Sequence, residues 1–263
     1  MNLDAELLLE IDDRKVARLS LNRPTLHNAF NAELIAGLST ALDRVVAERC
    51  RALVLTGEGD SFSAGADLNW MKAMIASSEI DNRNDAHRLG ALLRKLDSLP
   101  LPTIARINGS AFGGGVGLIA CCDIAVAVEH AQFGLTEVRL GLVPATISPF
   151  VVHRIGFGHA RRYMLTGERL DALSAMRIGL VNAVAPATQL DGHVNDLLDL
   201  LLAGGPRAQA EVKVLLRNVQ IHLGDPDSLD QVTADLIARL RVSDEGQEGL
   251  DAFLNKRTPK WRA

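Results

Sequence analysis

Apolar residues recur along this chain with two different periods. Residues 5–11 and 15–21 read as short strands. Over residues 32–48 the period becomes helical, with Leu34, Leu38, Ala41, Leu42 and Val45 on one face. A β-rich run at 52–56 leads into a first glycine turn. Residues 67–99 read as mostly helical around a polar middle at 77–85, and Pro100 and Pro102 stop the pattern. Strands follow at 103–107, which leads into a second glycine turn, and at 124–128. Beyond Val181 the pattern is helical, over 190–202, 207–222, 229–240 and 244–254. Strands alternating with helices, then a helical tail, predict an α/β fold with a C-terminal helical segment and no linker between independent domains.

Composition narrows the class without naming a function. A chain of 263 residues is long enough for one large core or one core with a small appendage. The formal net charge of −4 and the lack of a basic stripe with interleaved aromatics argue against nucleic acid as a partner. No apolar run is long enough to span a membrane. The acidic start, Met1-Asn2-Leu3-Asp4-Ala5-Glu6, has no basic region leading into an apolar stretch, so neither a secretory signal nor a transit peptide is expected. Cys50 stands alone and Cys121-Cys122 are adjacent, which suggests no disulfide framework. His153 and His159 have no acidic partners at metal-ligand spacing, and Ser148 has no nucleophile elbow around it. These features together predict a soluble cytoplasmic protein that needs no metal.

The two glycine turns carry the candidate chemistry. They are Phe62-Ser63-Ala64-Gly65-Ala66-Asp67-Leu68 and Ile107-Asn108-Gly109-Ser110-Ala111-Phe112-Gly113-Gly114-Gly115-Val116-Gly117. Each lies between a strand and a helix, where small residues let a ligand approach the backbone and the helix start leaves N–H groups unpaired. Two such turns side by side can aim two N–H donors at one oxygen, the geometry of an oxyanion hole. Glycine-rich turns are also common for purely structural reasons, and either one alone would be read that way. The second departs from the dinucleotide fingerprint, because Leu118 stands at its last glycine position, and it lacks the Lys-Ser/Thr ending of a P-loop.

Taken together, the motifs resemble the crotonase (enoyl-CoA hydratase/isomerase) superfamily along nearly the whole chain. The resemblance runs through Leu21-Asn22-Arg23-Pro24, Asn28-Ala29, the two turns, Cys122-Asp123-Ile124-Ala125 and Phe133-Gly134-Leu135-Thr136-Glu137-Val138-Arg139-Leu140-Gly141. It continues through Leu165-Thr166-Gly167-Glu168, Gly179-Leu180-Val181 and Phe253-Leu254-Asn255-Lys256-Arg257. It implies a spiral of β-β-α units, with an acyl-CoA-binding core over 1–190 and a helical segment over 191–263 for trimerisation and CoA contact. The implied assembly is a homotrimer or a homohexamer built as a dimer of trimers. Coenzyme A enters as part of the substrate, with no other cofactor.

The resemblance also assigns residues. The N–H groups that hold the thioester oxygen fall on Ala66 and on Gly114, in the triplet that Gly113 opens. Arg23, Leu26 and His27 lie beside the pantetheine and adenine end, and Ala64, Asp67 and Leu68 along the thioester. Phe253 and Lys256 match an aromatic–cation pair that contacts CoA, in some members across a subunit boundary. Glu137 matches the glutamate that exchanges a proton at Cα. A glutamate at a helix start is ordinarily solvated and favoured by the helix dipole. Burial among Phe133, Leu135 and Val138 would instead raise it from about 4.3 toward neutrality, so that it acts as an acid.

One departure stands out. Where two-glutamate hydratases carry their second carboxylate, this chain has Gly117. Single-glutamate relatives include double-bond isomerases. Against that, Asp67-Leu68-Asn69-Trp70-Met71-Lys72, Phe112-Gly113-Gly114-Gly115-Val116-Gly117-Leu118, the run from Glu137 to Ala145 with Ile147-Ser148-Pro149, and Val242-Ser243 with Glu245-Gly246-Gln247-Glu248-Gly249-Leu250 resemble bacterial 3-methylglutaconyl-CoA hydratases of leucine and isovalerate breakdown, which are similar to this chain in having a glycine at position 117. A dicarboxylic substrate asks for a cation, and Lys72 and Arg139 are the candidates. Three readings stay open: hydratase, enoyl-CoA isomerase and non-catalytic acyl-CoA-binding subunit.

Overall fold

The computed structural model describes residues 2–4 and 6–262. Met1, Ala5 and Ala263, which fall within the expected N-terminal strand and C-terminal segment, lie outside the described residues. The chain opens with β1 (Asn2–Asp4), β2 (Leu7–Ile11), β3 (Val16–Leu21) and α1 (Ala32–Ala47). Next come β4 (Ala52–Gly57), β5 (Ser61–Ser63), α2 (Leu68–Ala76) and α3 (Glu79–Asp97). The second glycine turn lies within β6 (Thr103–Ile107), β7 (Ser110–Phe112) and α4 (Gly114–Cys121), followed by β8 (Ile124–Val128) and β9 (Gln132–Gly134). After α5 (Ser148–Thr166) come β10 (Arg169–Asp171), α6 (Ala172–Arg177) and β11 (Ala183–Ala185). The helices α7 (Leu190–Ala203), α8 (Pro206–His222), α9 (Pro226–Arg241) and α10 (Asp244–Leu254) complete the described chain.

Among the described residues, seven strands form one sheet in the order β1-β2-β3-β4-β6-β8-β11, and four form a second in the order β10-β9-β7-β5. Successive strand pairs divide between the two sheets: β4, β6 and β8 enter the first, and β5, β7 and β9 the second. That division, with a helix between turns, is the expected spiral of β-β-α units. The parallel strand β4 is buried along its whole length, as a strand covered on both faces should be. Helix α1 starts on Asn31, whose side chain accepts the Leu34 N–H at 2.7 Å, and buries Leu34, Ile35, Leu38, Ala41, Leu42 and Val45.

Three details correct the periodic reading. The segment beyond Val181 is not helical throughout, because β11 pairs with β8 before α7 begins. The long helical stretch breaks only at 77–78, where Ser78 caps α3, so most of its polar middle is helix. The strands of the second sheet have three residues each and escape a period-two analysis.

Candidate active site

A cavity of about 460 Å³ opens where the two glycine turns meet, lined by Ala64, Gly65, Ala66, Phe112, Gly113, Gly114 and Glu137. The turns are in contact. Gly65 sits at φ +85°, and a Cβ on it would come within 2.9 Å of the Phe112 carbonyl oxygen. Gly113 sits at φ +48°, and a Cβ there would stand 3.0 Å from Glu137 Oε1. Both positions need glycine for conformation, and Gly65 needs it for room against the Phe112 backbone as well.

The first turn is fixed by the chain preceding α1. Phe30 N–H donates to Gly65 O at 2.6 Å, and Asp67 N–H donates to Phe30 O at 2.8 Å. This parallel bridge leaves the Ala66 N–H outside its pairing. On the second turn, Gly113 N–H is taken by Gly134 O at 3.0 Å, and Gly114 is the first residue of α4. Its N–H is therefore among the helix-start donors that have no partner within the helix. The Phe30 ring underlies this turn, 2.7 Å from where a Gly114 Cβ would be. The geometry thus brings two free backbone donors to one cavity.

Glu137 opens a 3₁₀ turn, Glu137–Leu140, against the same cavity. It is half-buried, and its Oε2 is closed off from solvent without a hydrogen-bond partner. Desolvation pushes the carboxyl above the ordinary carboxylate range, partly offset by a hydrogen bond from its own backbone. Phe133 and Leu135 are buried beside it as expected, but Val138 lies at the surface.

The position of the missing second carboxylate is occupied. Gly117 is buried, and a Cβ on it would run into Ile147, meeting that residue's Cγ2 and standing 3.0 Å from its Cβ. Ile147 lines the cavity and is 3% exposed. An apolar side chain from the loop before α5 thus fills the space beside Gly117.

The other expected site residues divide. Ala64 and Leu68 line the cavity. Leu26 is exposed, and His27 Nδ1 lies 3.0 Å from Ser61 Oγ. Arg23 and Asp67 are nearly buried and pair with each other at 2.9 Å. Lys72 and Arg139 are exposed, and neither is among the lining residues. Phe253 and Lys256, at the end of α10, are also outside the lining. The sequence reading missed Phe30, Trp70, Met74, Leu89, Leu142 and Val143, which give the cavity its apolar wall. They come from segments far apart in the chain. Trp70, Leu142 and Val143 sit inside the runs that carry the resemblance and Phe30 directly follows Asn28-Ala29, whereas Met74 and Leu89 had no local signal. Among the described residues no group of three or more His, Cys, Asp or Glu side chains is placed to hold a metal, and no helix is long and apolar enough to cross a membrane.

Comparison with known proteins agrees with this arrangement. The family model for enoyl-CoA hydratase/isomerase matches residues 12–263. The chain belongs to the enoyl-CoA hydratase/isomerase family. It is 32% identical over 261 residues to a crotonyl-CoA hydratase of Syntrophomonas wolfei, covering 95% of each chain. To the 2,3-dehydroadipyl-CoA hydratase of Escherichia coli it is 32% identical over 260 residues, covering 98% of this chain and 99% of that one. The crystal structure of an enoyl-CoA hydratase from Shewanella pealeana superposes with a TM-score of 0.94 at 43% identity, over 99% of this chain and 97% of that one. Family membership explains why the two turns and Glu137 converge.

Proposed function

We propose that this protein adds water reversibly across the α,β double bond of an enoyl-CoA thioester. The observation that carries this reading is the meeting, on one cavity, of two free N–H donors and a buried carboxyl with an unpartnered oxygen. In the proposed reaction the N–H groups of Ala66 and Gly114 hold the thioester oxygen, which makes Cβ electrophilic and stabilises the enolate. Protonated Glu137 gives its proton to Cα from one carboxyl oxygen. The other oxygen takes a proton from the water whose hydroxyl adds to Cβ, which regenerates the acid and places both groups on one face. No group besides the substrate's own CoA enters this scheme. The test is loss of enoyl-thioester absorbance with crotonyl-CoA, which is expected for the native protein and abolished in Glu137→Gln. A Glu137→Gln variant with near-native rate would remove the mechanism.

At the level of substrate we propose 3-methylglutaconyl-CoA, giving 3-hydroxy-3-methylglutaryl-CoA, on the strength of the sequence runs around Lys72, Gly117 and Ala145. We assign the distal carboxylate to neither Lys72 nor Arg139, because both lie outside the cavity lining. Comparing kcat/KM for this substrate and for crotonyl-CoA tests the assignment, and a ratio at or below unity would withdraw it. An enoyl-CoA isomerase is the second reading, favoured by one observation: Ile147 fills the space where a second carboxylate would stand. Turnover of a β,γ-enoyl-CoA with no hydration would establish it. We also propose a homotrimer or dimer of trimers, with the exposed apolar residues of α8–α10 at subunit contacts.

A further inference from the structure

Arg23 and Asp67 are more fully engaged with the protein than a pair of CoA-contacting residues should be. The Arg23 side chain is 11% exposed, and its guanidinium is used on three sides. Nε meets Glu6 Oε1 at 3.0 Å, Nη2 donates to Asp67 Oδ2 at 2.9 Å, and Nη1 donates to Ala29 O at 2.5 Å. The Arg23 backbone N–H is also held, by Asn28 Oδ1 at 2.8 Å. Little of the fork remains for a phosphate or a pantetheine amide.

Asp67 uses its two carboxylate oxygens in different directions. Oδ1 caps α2, accepting the N–H groups of Asn69 at 2.7 Å and Trp70 at 3.4 Å. Oδ2 goes to Arg23, and through it to the segment that carries Phe30. Asp67 directly follows Ala66, and its own N–H is bound to Phe30 O. The Gly65–Ala66 peptide, beside the cavity, is therefore held from both sides, by Phe30 through Gly65 O and by Asp67.

We propose that Arg23, acting through Asp67, is a positioning residue that fixes the Ala66 N–H on the thioester oxygen, and that it makes no direct contact with CoA. The inference rests on the reading of Ala66 as a donor to that oxygen. Without the guanidinium, Asp67 Oδ2 loses its tether, which lets the Ala66 peptide shift, and the Glu6 and Asp67 carboxylates lose the cation between them, which opposes negative charge building on the substrate oxygen. Neither Arg23 nor Asp67 is among the residues that line the cavity. The effect falls on the transition state rather than on ground-state binding.

The experiment uses Arg23→Gln, Arg23→Lys and Asp67→Asn in the full chain, with kcat and KM for crotonyl-CoA. A second readout is the red shift of bound 4-dimethylaminocinnamoyl-CoA, a push–pull thioester whose absorption moves as its carbonyl is polarised. Arg23→Gln is expected to lower kcat by about 10–100-fold, since a slightly misplaced donor loses much of its effect. KM should stay within roughly threefold, and the red shift should shrink. Arg23→Lys should recover part of both, because one cation returns to Asp67. A higher KM with unchanged kcat, or a native red shift in Arg23→Gln, overturns the proposal. Should Arg23→Gln fail to fold, Asp67→Asn decides by the same criteria, because its amide oxygen can still cap α2. If the native protein shifts the probe without hydrating crotonyl-CoA, the hydratase reading fails and the variants' shifts still decide this one. If it hydrates and the variants match it, this proposal fails alone. A native protein that leaves the probe unshifted also overturns it.

Discussion

At the residue scale the site depends on one carboxyl and on two places where no side chain fits. Burial raises the Glu137 carboxyl, so its neutral form persists above the ordinary value of 4.5. The proposed reaction needs that neutral form. Hydration should therefore fall as pH rises through the raised value, on a limb that begins above 4.5, and Glu137→Gln should lose about 10²–10⁴ in rate. Stability follows the same sign. A raised carboxyl lets the folded state hold a proton that the unfolded state has released, so its contribution is full below 4.5 and is lost as pH climbs through the folded value. Thermal melting should find Glu137→Gln and the native protein alike at low pH, with the variant gaining above that window. Gly114→Ala tests the second donor: its Cβ would lie 2.7 Å from the Phe30 ring, so the turn or the ring must shift. Steady-state kinetics should show kcat reduced by about 10–100-fold, as expected for a displaced donor.

Elements place these residues, and the placement explains the altered second position. Gly117 lies inside α4 and Ile147 just before α5, so their meeting fixes how these two helices pack. Restoring a carboxylate by Gly117→Glu should therefore not create a two-glutamate site. The new side chain collides with Ile147, and overpacking of this kind costs about 1–3 kcal/mol. A urea titration should show that loss, and pairing the change with Ile147→Gly should recover part of it. This relation was not legible in the sequence. Gly117 declared what was absent, but nothing in the order of residues said that a segment thirty positions later fills the space. The helices themselves were legible, because α1 and α7–α10 carry 3.6-residue patterns, and α1, α9 and α10 also open on side-chain caps at Asn31, Asp225 and Ser243. The strands of the small sheet were not, since three residues hold too little periodicity.

For the whole molecule, α7 packs into the core through Leu190, Val194 and Leu198, whereas α8–α10 leave much apolar surface uncovered in the single chain, and α8 reaches the core through polar ties. Lys213 on α8 donates to Asp123 Oδ2 at 2.9 Å, the same oxygen that accepts from Thr103 N–H and Oγ1. Lys213→Ala should cost about 1.5–3 kcal/mol in chemical denaturation, the range for a hydrogen bond to a charged group, without changing kcat. Neither α8 nor α9 buries a residue, and Phe253 and Leu254 at the end of α10 are 80% and 75% exposed. Such surface suits a subunit contact. Phe253→Asp with Leu254→Asp should lower the mass measured by light scattering toward that of one chain, and an unchanged mass would remove these residues from the interface.

The fold class, the family resemblance, the two glycine turns and Glu137 are all readable from the order of residues, because each is written at short range: a period, a strand-to-helix turn, a motif. Tertiary structure alone decided that the turns touch, that Phe30 packs beneath Gly114, that Arg23 is tied to Asp67 and that Ile147 stands beside Gly117. These are contacts between residues distant along the chain. They arise when helices and sheets pack to fill space, and local order carries no record of which side chain will fill a gap that a glycine leaves.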